Sequence, residues 1–304
     1  AIPGFGSLPP KVMGAKIPAT LRRANGELWF ASASYGIIIR YPNGTTRLLN
    51  SDNTPFLRDN YVCTLFEDHR HRVWIGERSG LAVAVNARQG QHLSLSADGQ
   101  PITRCDVRGI TEDHKGTIWV STDDEGIIAI DGNVSPAMAA SHCIQFSPRQ
   151  GTMAVNEVTA CLEDHKHRLW AVSPSGGLFL YDNVQNCFVD KNRTFDIHGD
   201  QAYAIAEDKR GNLWITTEEA LIALHVHDSD NADHLSFTAS DGIEDMLFVP
   251  NGIAAYGDSM YVTGRHGFIS FSPTELTHRE MNSYISPLLV TDLLIDGEPY
   301  AVLD

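Results

Sequence analysis

The octapeptide Glu163–Trp170, EDHKHRLW, decides the fold, because nearly the same string, EDHRHRVW, occurs at Glu67–Trp74. Taken alone, either copy resembles a metal site, with two carboxylates and two imidazoles in front of an indole. A segment that recurs at a fixed period is, however, the mark of a repeat architecture. The recurrence therefore has to be explained before any chemistry is assigned to these residues.

All the tryptophans of the 304-residue chain fall in one repeating frame. Their successive spacings are 45, 45, 51 and 44 residues, and Tyr261 takes the same place 47 residues after the last of them. The tryptophans are Trp29, Trp74, Trp119, Trp170 and Trp214. Each lies within a series of short apolar, β-branched runs separated by polar turns. Four short antiparallel strands per period of about 45 residues are typical of a propeller blade. The sequence therefore predicts an all-β protein, a β-propeller of four-stranded antiparallel blades with six recognisable units.

The carboxylates and histidines of the octapeptide are explained by a repeated turn. In four units an aspartate lies six residues before the tryptophan, where it can cap the N–H groups of the hairpin between the first two strands. These aspartates are Asp68, Asp113, Asp164 and Asp208. Gly116 and Gly211 supply the positive φ that such a turn favours, and His71 and His167 take that position in the other two units. The recurrent acids and imidazoles are thus predicted to be scaffolding.

Zinc is the alternative explanation of the His-x-His hairpins, and the sequence disfavours it. A zinc site needs three or four ligands that converge on one point. One such hairpin cannot supply them, and the hairpins at 69–71 and 165–167 are expected to lie two blades apart and to point away from each other. We therefore predict no metal site and no cofactor. The tryptophans are predicted to pack between adjacent blades, because large flat side chains fill the wedge between twisted sheets.

Composition narrows the class of protein further. Lys and Arg total 23 against 38 Asp and Glu, and the resulting formal charge of −15 disfavours a nucleic-acid partner. No apolar run approaches the roughly 18 residues of a membrane span, and the first residues, AIPGFGSLPPKV, lack the features of a signal peptide. The five cysteines form no CxxC pair and are expected to be buried free thiols. These features predict a globular unit without a membrane span, cut from a longer protein.

With these residues in hand, the units resemble the two-component regulator propeller repeat. That repeat consists of an apolar strand, ED, a glycine turn, LW, a small polar loop and then GL or GI. The match is specific from Tyr61 to about His225 and weaker in units one and six, and Arg23 stands where unit one should carry its aspartate. After the last unit, residues 267–300 resemble the exit from a propeller into the immunoglobulin-like domain that follows it in this family.

The resemblance implies a periplasmic ligand-sensing module of a hybrid two-component receptor, with the membrane helix, kinase and regulator parts outside this chain. Many members of the family detect oligosaccharides. Family propellers usually have seven blades, so either residues 1–16 contribute to a degenerate seventh blade or the ring is smaller. The predicted propeller covers residues 1–283, with blades near 17–50, 60–97, 104–147, 155–190, 200–238 and 250–275. Residues 284–304 are predicted to be an exit strand or the truncated start of the immunoglobulin-like domain.

Strand order predicts the face on which a ligand binds. If the four strands of each blade run from the axis outwards, the loops between strands two and three emerge on the same side as the links between blades, and the ED hairpins emerge on the other. The first face carries the irregular segments, and variation on a constant scaffold is where binding is expected. Carbohydrate recognition needs aromatic platforms and planar polar groups. The candidates are Tyr35, Arg58, Glu77, Arg78, Asp123, Asp124, Glu125, Arg193, Glu218, Arg265 and His266.

Three functions remain open at this point. The first is a non-catalytic sensor that binds an oligosaccharide or related small molecule and signals by altered packing against a neighbouring propeller or a homodimer partner. The second is a propeller enzyme of the lyase or lactonase type, which should show convergent side chains that break the repeat. The third is a protein-interaction platform. The adjacent acids at Asp123–Glu125 also suggest calcium, but they lack the spaced oxygen ligands of a calcium loop.

Overall fold

The computed structural model describes residue 12, residues 14–102, 105–197, 201–243 and 247–276, and the strand pairs 294–295 and 298–299. Within these residues, antiparallel sheets follow one another along the chain, and the prediction of a β-propeller is confirmed. Blade 1 contains β1 (Thr20–Arg22), β2 (Leu28–Ser32), β3 (Gly36–Arg40) and β4 (Thr46–Leu49). Blade 2 contains β5 (Val62–Glu67), β6 (Val73–Glu77), β7 (Gly80–Asn86) and β8 (Gln89–Leu93).

A short hairpin, β9 (Ser96–Ala97) and β10 (Gln100–Pro101), links blade 2 to blade 3. Blade 3 contains β11 (Val107–Glu112), β12 (Thr117–Thr122), β13 (Ile127–Asp131) and β14 (Ile144–Phe146). The one-turn helix α1 (Pro136–Ala140) lies between its last two strands. This insertion accounts for the long step of 51 residues between Trp119 and Trp170.

Blades 4 and 5 repeat the regular pattern. Blade 4 contains β15 (Ala160–Glu163), β16 (Leu169–Ser173), β17 (Gly177–Asp182) and β18 (Cys187–Asp190). Blade 5 contains β19 (Ala202–Glu207), β20 (Leu213–Thr217), β21 (Leu221–Val226) and β22 (Ala232–Phe237).

The sixth blade is smaller in the part of the chain that the structure describes. Its three strands are β23 (Phe248–Tyr256), β24 (Ser259–Gly264) and β25 (Gly267–Phe271). The residues predicted to begin an immunoglobulin-like domain fall outside the described residues, apart from the paired strands β26 (Leu294–Ile295) and β27 (Glu298–Pro299). The first eleven residues, invoked for a degenerate seventh blade, also lie outside them.

The tryptophans pack between blades, as predicted. Trp29, Trp74, Trp170 and Trp214 are fully buried and Trp119 nearly so. Each lies in a cluster that joins apolar residues of its own blade to those of the next, as when Trp74 of blade 2 packs with the core of blade 3. One apolar cluster therefore forms at each of the five successive interfaces of the described blades. The hydrophobic core is thus divided among the interfaces between blades.

The aspartate of each ED pair caps its own hairpin. In blade 2, one oxygen of Asp68 accepts the backbone N–H groups of Arg70 and Arg72 at 3.0 and 2.8 Å. Its other oxygen accepts the indole N–H of Trp74 at 2.7 Å. The same bonds recur around Asp113, Asp164 and Asp208. The predicted positive φ is also observed, at 61° for His71, 59° for His167 and 83° for Gly116 and Gly211.

The glutamate of each ED pair reaches backwards to the preceding blade. Glu112 of blade 3 accepts the backbone N–H of His69 in blade 2 at 2.8 Å and also bonds the Nδ1 atom of that histidine. Glu163 holds His114, and Glu207 holds His165, in the same way. Each ED dipeptide therefore closes its own turn with one carboxylate and fastens two blades with the other. The repeat pattern alone did not reveal this second role.

Blade 1 keeps a carboxylate at the indole N–H but exchanges the order of its charges. In blade 2, Asp68 lies six residues before the tryptophan and Arg72 two residues before it, and they form an ion pair. In blade 1 the base comes first: Arg23 pairs with Glu27, and Glu27 accepts the indole N–H of Trp29 at 2.9 Å. The guanidinium lies 5.4 Å from the indole ring in both blades. The missing aspartate is thus replaced by an equivalent arrangement of opposite order.

The two faces of the propeller carry different segments, as strand order predicts. The first strands of successive blades contact one another around the axis. Gly36 in a loop between strands two and three donates to the carbonyl of Asn60 in a link between blades at 2.8 Å, and Gly126 bonds Asn156 in the same way. The loops and links therefore share one face, and the ED hairpins lie on the other.

Candidate functional site at the channel mouth

The first strands carry a repeated irregularity where they open onto the loop face. In blades 2, 3 and 5 the strand has a β-bulge at an equivalent position, eleven residues before the tryptophan. The bulge residues are Cys63, Arg108 and Tyr203. A bulge leaves one residue outside the ladder and re-aims its side chain. The residue before each bulge is buried and apolar, so the scaffold is kept on that side while the bulge side chain differs between blades.

The channel mouth is the end of the central channel that opens on the loop face. Arg108 is the centre of a polar network there. Its Nη2 atom donates to Asp106 at 3.2 Å and to Asp123 at 2.9 Å. Arg78 of blade 2 approaches the same Asp106 at 3.9 Å and lies over the ring of Tyr61. The buried Nε atom of Arg108 has no hydrogen-bond partner among the described residues. The guanidinium therefore keeps one N–H donor that no described residue accepts.

Blade 6 contacts this network from the opposite side of the propeller. The register of β23 shifts between Phe248 and Ile253, and Asn251 lies within the irregular stretch. Its amide nitrogen donates to the backbone carbonyl of Arg108 at 2.9 Å. The first strands of blades 3 and 6 are thus joined across the channel.

The carboxyl groups of the mouth are crowded and partly desolvated. Burial is the main cause that raises the pKa of Asp106 above its ordinary value, and the carboxylates of Asp123 and Asp124 act in the same direction. Burial, followed by the charge of Asp123, likewise raises the pKa of Glu157. A ligand that donates hydrogen bonds to these oxygens would relieve this crowding, since donors stabilise the charged form.

Tyr203 connects the network to blades 5 and 6. Burial raises the pKa of its phenol, and the nearby carboxylates of Glu218 and Glu157 add to the effect while Arg265 opposes it. The phenol donates to Gln201 at 2.7 Å. The phenol is therefore within electrostatic reach of charged groups from the link between blades 3 and 4, from blade 5 and from blade 6.

The structure brings together some of the residues predicted from the sequence and separates the others. Arg78, Asp123, Asp124, Glu218 and Arg265 belong to the mouth network. In contrast, the three adjacent acids diverge, because Glu125 turns away to accept from Gln145 at 2.7 Å. Asp123 binds Arg108, and Asp124 accepts the N–H of Asp106 at 3.3 Å.

The remaining predicted residues lie elsewhere. Glu77 is fully buried, where it accepts the N–H of Arg58 at 3.0 Å and so holds the link between blades 1 and 2. Tyr35 is half-buried against Val12 and Ile38. The side chains of Arg58, Arg193 and His266 are exposed on the surface.

Sequence reasoning missed five members of the network, which are Asp106, Arg108, Glu157, Tyr203 and Asn251. A signal was present, because the position eleven residues before the tryptophan holds Cys, Arg, Thr and Tyr in blades 2 to 5 while its neighbours hardly vary. It was overlooked because an apolar strand was expected there. In blade 4 the position holds Thr159, which is buried and bonds Val172.

The arrangement suits recognition of hydroxyl groups better than nucleophilic chemistry. The mouth contains both carboxylates and guanidinium groups, and Tyr61 and Tyr203 add aromatic rings. A polyhydroxylated ligand would therefore find hydrogen-bond acceptors, donors and stacking surfaces together. The thiol of Cys63 is a poor nucleophile, because burial and the charge of Asp106 raise its pKa to about 12.

The fold and the mouth can now be compared with known proteins. Residues 196–219 match the family model described as two component regulator propeller. The chain carries a regulator propeller repeat. Its blades are the repeat recognised in the sequence, and the ED, LW and glycine positions of that repeat have the capping and packing roles described above.

The chain is similar to longer proteins. It is 25% identical over 280 residues to histidine kinase P4 of Formosa agariphila, which covers 89% of this chain and 16% of that protein. Its fold matches the extracellular domain of a hybrid two-component system from B. thetaiotaomicron with a TM-score of 0.69 and 19% identity, over 86% of this chain and 34% of that one. The chain thus spans about a third of the extracellular domain that it matches.

Enzymes with propeller folds are also similar to this chain in structure. A virginiamycin B lyase from Staphylococcus aureus matches with a TM-score of 0.65 and 15% identity, over 86% of this chain and 81% of that one. At such identities the likeness shows the fold alone. None of the helices in the described part of the chain has the length and apolarity that crossing a bilayer requires.

Proposed function

We propose that this chain is a non-catalytic, extracytoplasmic sensing module of a hybrid two-component receptor. Its similarity to an extracellular domain of such a system and to a histidine kinase supports this assignment. In a receptor of that kind the module lies in the periplasm, while the kinase lies outside this chain. Since the chain spans only part of its relatives, the activity of the whole receptor belongs to the proposal.

The ligand in this proposal is an oligosaccharide or a related polyhydroxylated small molecule, bound at the channel mouth. The observation that carries this assignment is the cluster formed by the bulge residue Arg108 with Asp106 and Asp123, in which the Nε atom of Arg108 has no partner among the described residues. Buried donors without partners are costly, and a ligand hydroxyl would satisfy this one. The excess of carboxylates over guanidinium groups favours a neutral ligand over an anionic one.

Signalling is proposed to use the links between blades. Asn251 joins blades 3 and 6 across the channel. A ligand at the mouth would therefore change the packing of the blades against one another and against a neighbouring propeller or a second copy of the chain. A ligand shifts such an equilibrium only by its difference in affinity for the two packing states.

Calorimetric titration of the chain with plant and host oligosaccharides tests the ligand. We expect binding by wild type and a loss of at least about tenfold in affinity for Arg108→Ala, since hydrogen bonds to charged groups contribute about 1.5–3 kcal/mol. Arg88→Ala, which changes an exposed arginine in the β7–β8 hairpin, is the matched control and should bind as wild type does.

Two results would overturn this proposal. Binding that is unchanged in Arg108→Ala would remove the mouth from consideration, and the absence of any binding at millimolar sugar would remove the ligand class. Turnover of a bound sugar would instead favour an enzyme of the lyase or lactonase type, for which the similarity to virginiamycin B lyase is the supporting observation.

A further inference from the structure

A second group of reactive side chains lies on the opposite face, between blades 3 and 4. His114 follows the aspartate of the blade 3 hairpin, and Glu163 and His167 belong to the ED hairpin of blade 4. The potential ligand atoms of these three residues all lie within 4.8 Å of one another. The two imidazole rings are 4.1 Å apart between centroids. Two imidazoles and a carboxylate are the donor set that a borderline divalent metal such as zinc prefers.

This convergence arises because two adjacent hairpins both carry histidine at the required positions. A complete set needs a histidine after the aspartate of one blade, the glutamate of the next, and a histidine at the positive-φ position of that next blade. The three other interfaces that carry this glutamate, between blades 1 and 2, 2 and 3, and 4 and 5, lack one imidazole each. Their corresponding residues are Ala24, Glu67 and His71; His69, Glu112 and Gly116; and His165, Glu207 and Gly211. The prediction of no metal site rested on histidines of one hairpin or of hairpins two blades apart, whereas these three residues come from hairpins of neighbouring blades.

The carboxylate is already oriented for the task. One oxygen of Glu163 accepts the backbone N–H of His114 at 2.7 Å, which fixes the carboxyl group. The other oxygen faces both imidazoles, bonded to the Nδ1 atom of His114 and 3.6 Å from the Nδ1 atom of His167. Ligand atoms around a tetrahedral zinc ion are about 3.3 Å apart, given metal–ligand distances of about 2.0–2.2 Å. Small rotations of exposed rings would therefore be enough to form the site.

A cleft beside these residues leaves room for further ligands of a metal ion. It has a volume of about 490 Å³ and is lined by all three residues together with Trp119, Phe146 and Tyr181. The imidazoles are accessible, with side-chain exposures of 38% for His114 and 60% for His167. Three protein ligands with an open position are characteristic of exchangeable zinc sites, whereas closed structural sites have four.

We infer that His114, Glu163 and His167 form a binding site for a divalent transition-metal ion of the zinc class. The ion bridges blades 3 and 4 and presents an open coordination position to the aromatic cleft. This site is independent of the channel mouth, which lies on the other face.

Titration of the untagged chain with ZnCl₂, followed by calorimetry, tests the site. We expect one zinc ion to bind, MgCl₂ to give no signal, and the cobalt-loaded protein to show the visible absorption of a protein-bound ion. His167→Ala and His114→Ala should each weaken zinc binding by at least about tenfold, since even the loss of an outer-shell partner costs that much.

The chain provides matched controls for both variants. His71→Ala removes a histidine from the same turn position of blade 2, and His69→Ala removes one with the same bond to a glutamate. Both controls should bind zinc as wild type does. Equal weakening by the controls and the test variants, or full binding by the double variant His114→Ala/His167→Ala, would overturn the inference. Matched thermal unfolding of each pair distinguishes loss of the ligand from loss of the fold.

Discussion

At the scale of single residues, blades 1, 2 and 4 share a buried trio of acid, base and tryptophan. The order of acid and base along the chain is not fixed, because in blade 1 Arg23 precedes Glu27, whereas in blade 2 Asp68 precedes Arg72. The carboxylate at the indole N–H is common to all five tryptophans, whereas blades 3 and 5 have Thr117 and Asn212 in place of the base.

Exchanging the charges of blade 1 tests whether Arg23 and Glu27 act as a unit. Arg23→Asp or Glu27→Arg alone should lower the free energy of unfolding by about 2–4 kcal/mol, since each leaves a like-charged neighbour in a buried site. The double variant should lose less than the sum of the two by at least about 1 kcal/mol. Urea unfolding of the four proteins measures this coupling. Strict additivity would contradict it, and the exposed pair Lys209 and Asp258 should show a much smaller coupling.

The caps also predict a dependence of stability on pH. Burial alone would raise the pKa of Asp164, but hydrogen bonds from Trp170 and Arg168 outweigh it, and the pKa lies below its ordinary value. The stabilisation is therefore complete above the unfolded-state pKa, about 4, and is lost as the pH falls through the lowered value. Asp164→Asn should be less stable than wild type at pH 7, and the difference should shrink at pH 2.5. Unfolding midpoints at both values measure it, and a constant difference would show that the charge is not involved.

At the scale of elements, the glutamates of the ED pairs fasten successive blades. The bond from Glu112 to the N–H of His69 joins the end of one first strand to the preceding hairpin. The bulges at the other end of these strands free one side chain each for the channel mouth. One strand therefore contributes to stability at one end and to the proposed binding site at the other.

Removing one such glutamate should loosen a single interface. Glu112→Ala should lower the free energy of unfolding by about 1–3 kcal/mol, because two hydrogen bonds between blades 2 and 3 are lost. Glu112→Gln keeps a neutral acceptor for the backbone N–H of His69 and should cost less than half as much. Denaturant unfolding of both variants provides the comparison. Equal losses in the two would mean that the bond to the backbone is unimportant.

At the scale of the whole molecule, the sixth blade differs from the others. Ala254 and Ala255 occupy the positions of the ED pair, and its contacts with blade 5 include the exposed ion pair of Lys209 and Asp258. Tyr261, which takes the place of the tryptophan, is 38% exposed, and Phe268 is 69% exposed. The far side of this blade is thus less covered than the sides of blades 2 to 5 in the described residues.

Hydrogen exchange should show that blade 6 is less protected than the blades with neighbours on both sides. Amides of β23–β25 should exchange faster than those of β11–β13, because local opening costs least where apolar contacts are fewest. Mass spectrometry of peptides from both blades, after equal times in deuterated buffer, measures the difference. Equal protection in blades 3 and 6 would contradict it, and blade 4 provides an internal reference for a blade with neighbours on both sides.

The sequence by itself determined the blade, because its local requirements repeat and are visible one unit at a time. The spacing of tryptophans, the aspartates six residues before them and the histidines and glycines at positive φ all predicted features that the structure has. The loops on the opposite face were predicted from strand order alone. Which loop residues meet could not be predicted in this way, because a period places equivalent residues on different blades.

Only the tertiary structure decided which side chains converge. It joined Asn251 to Arg108 across 143 residues and placed His114 beside His167 of the next blade. It also showed that Glu77 is buried beneath the loop face and that Glu125 turns away from the mouth. The physical reason is that the packing of the blades around an axis sets the distances between units, while the repeat pattern specifies only the contacts within a unit.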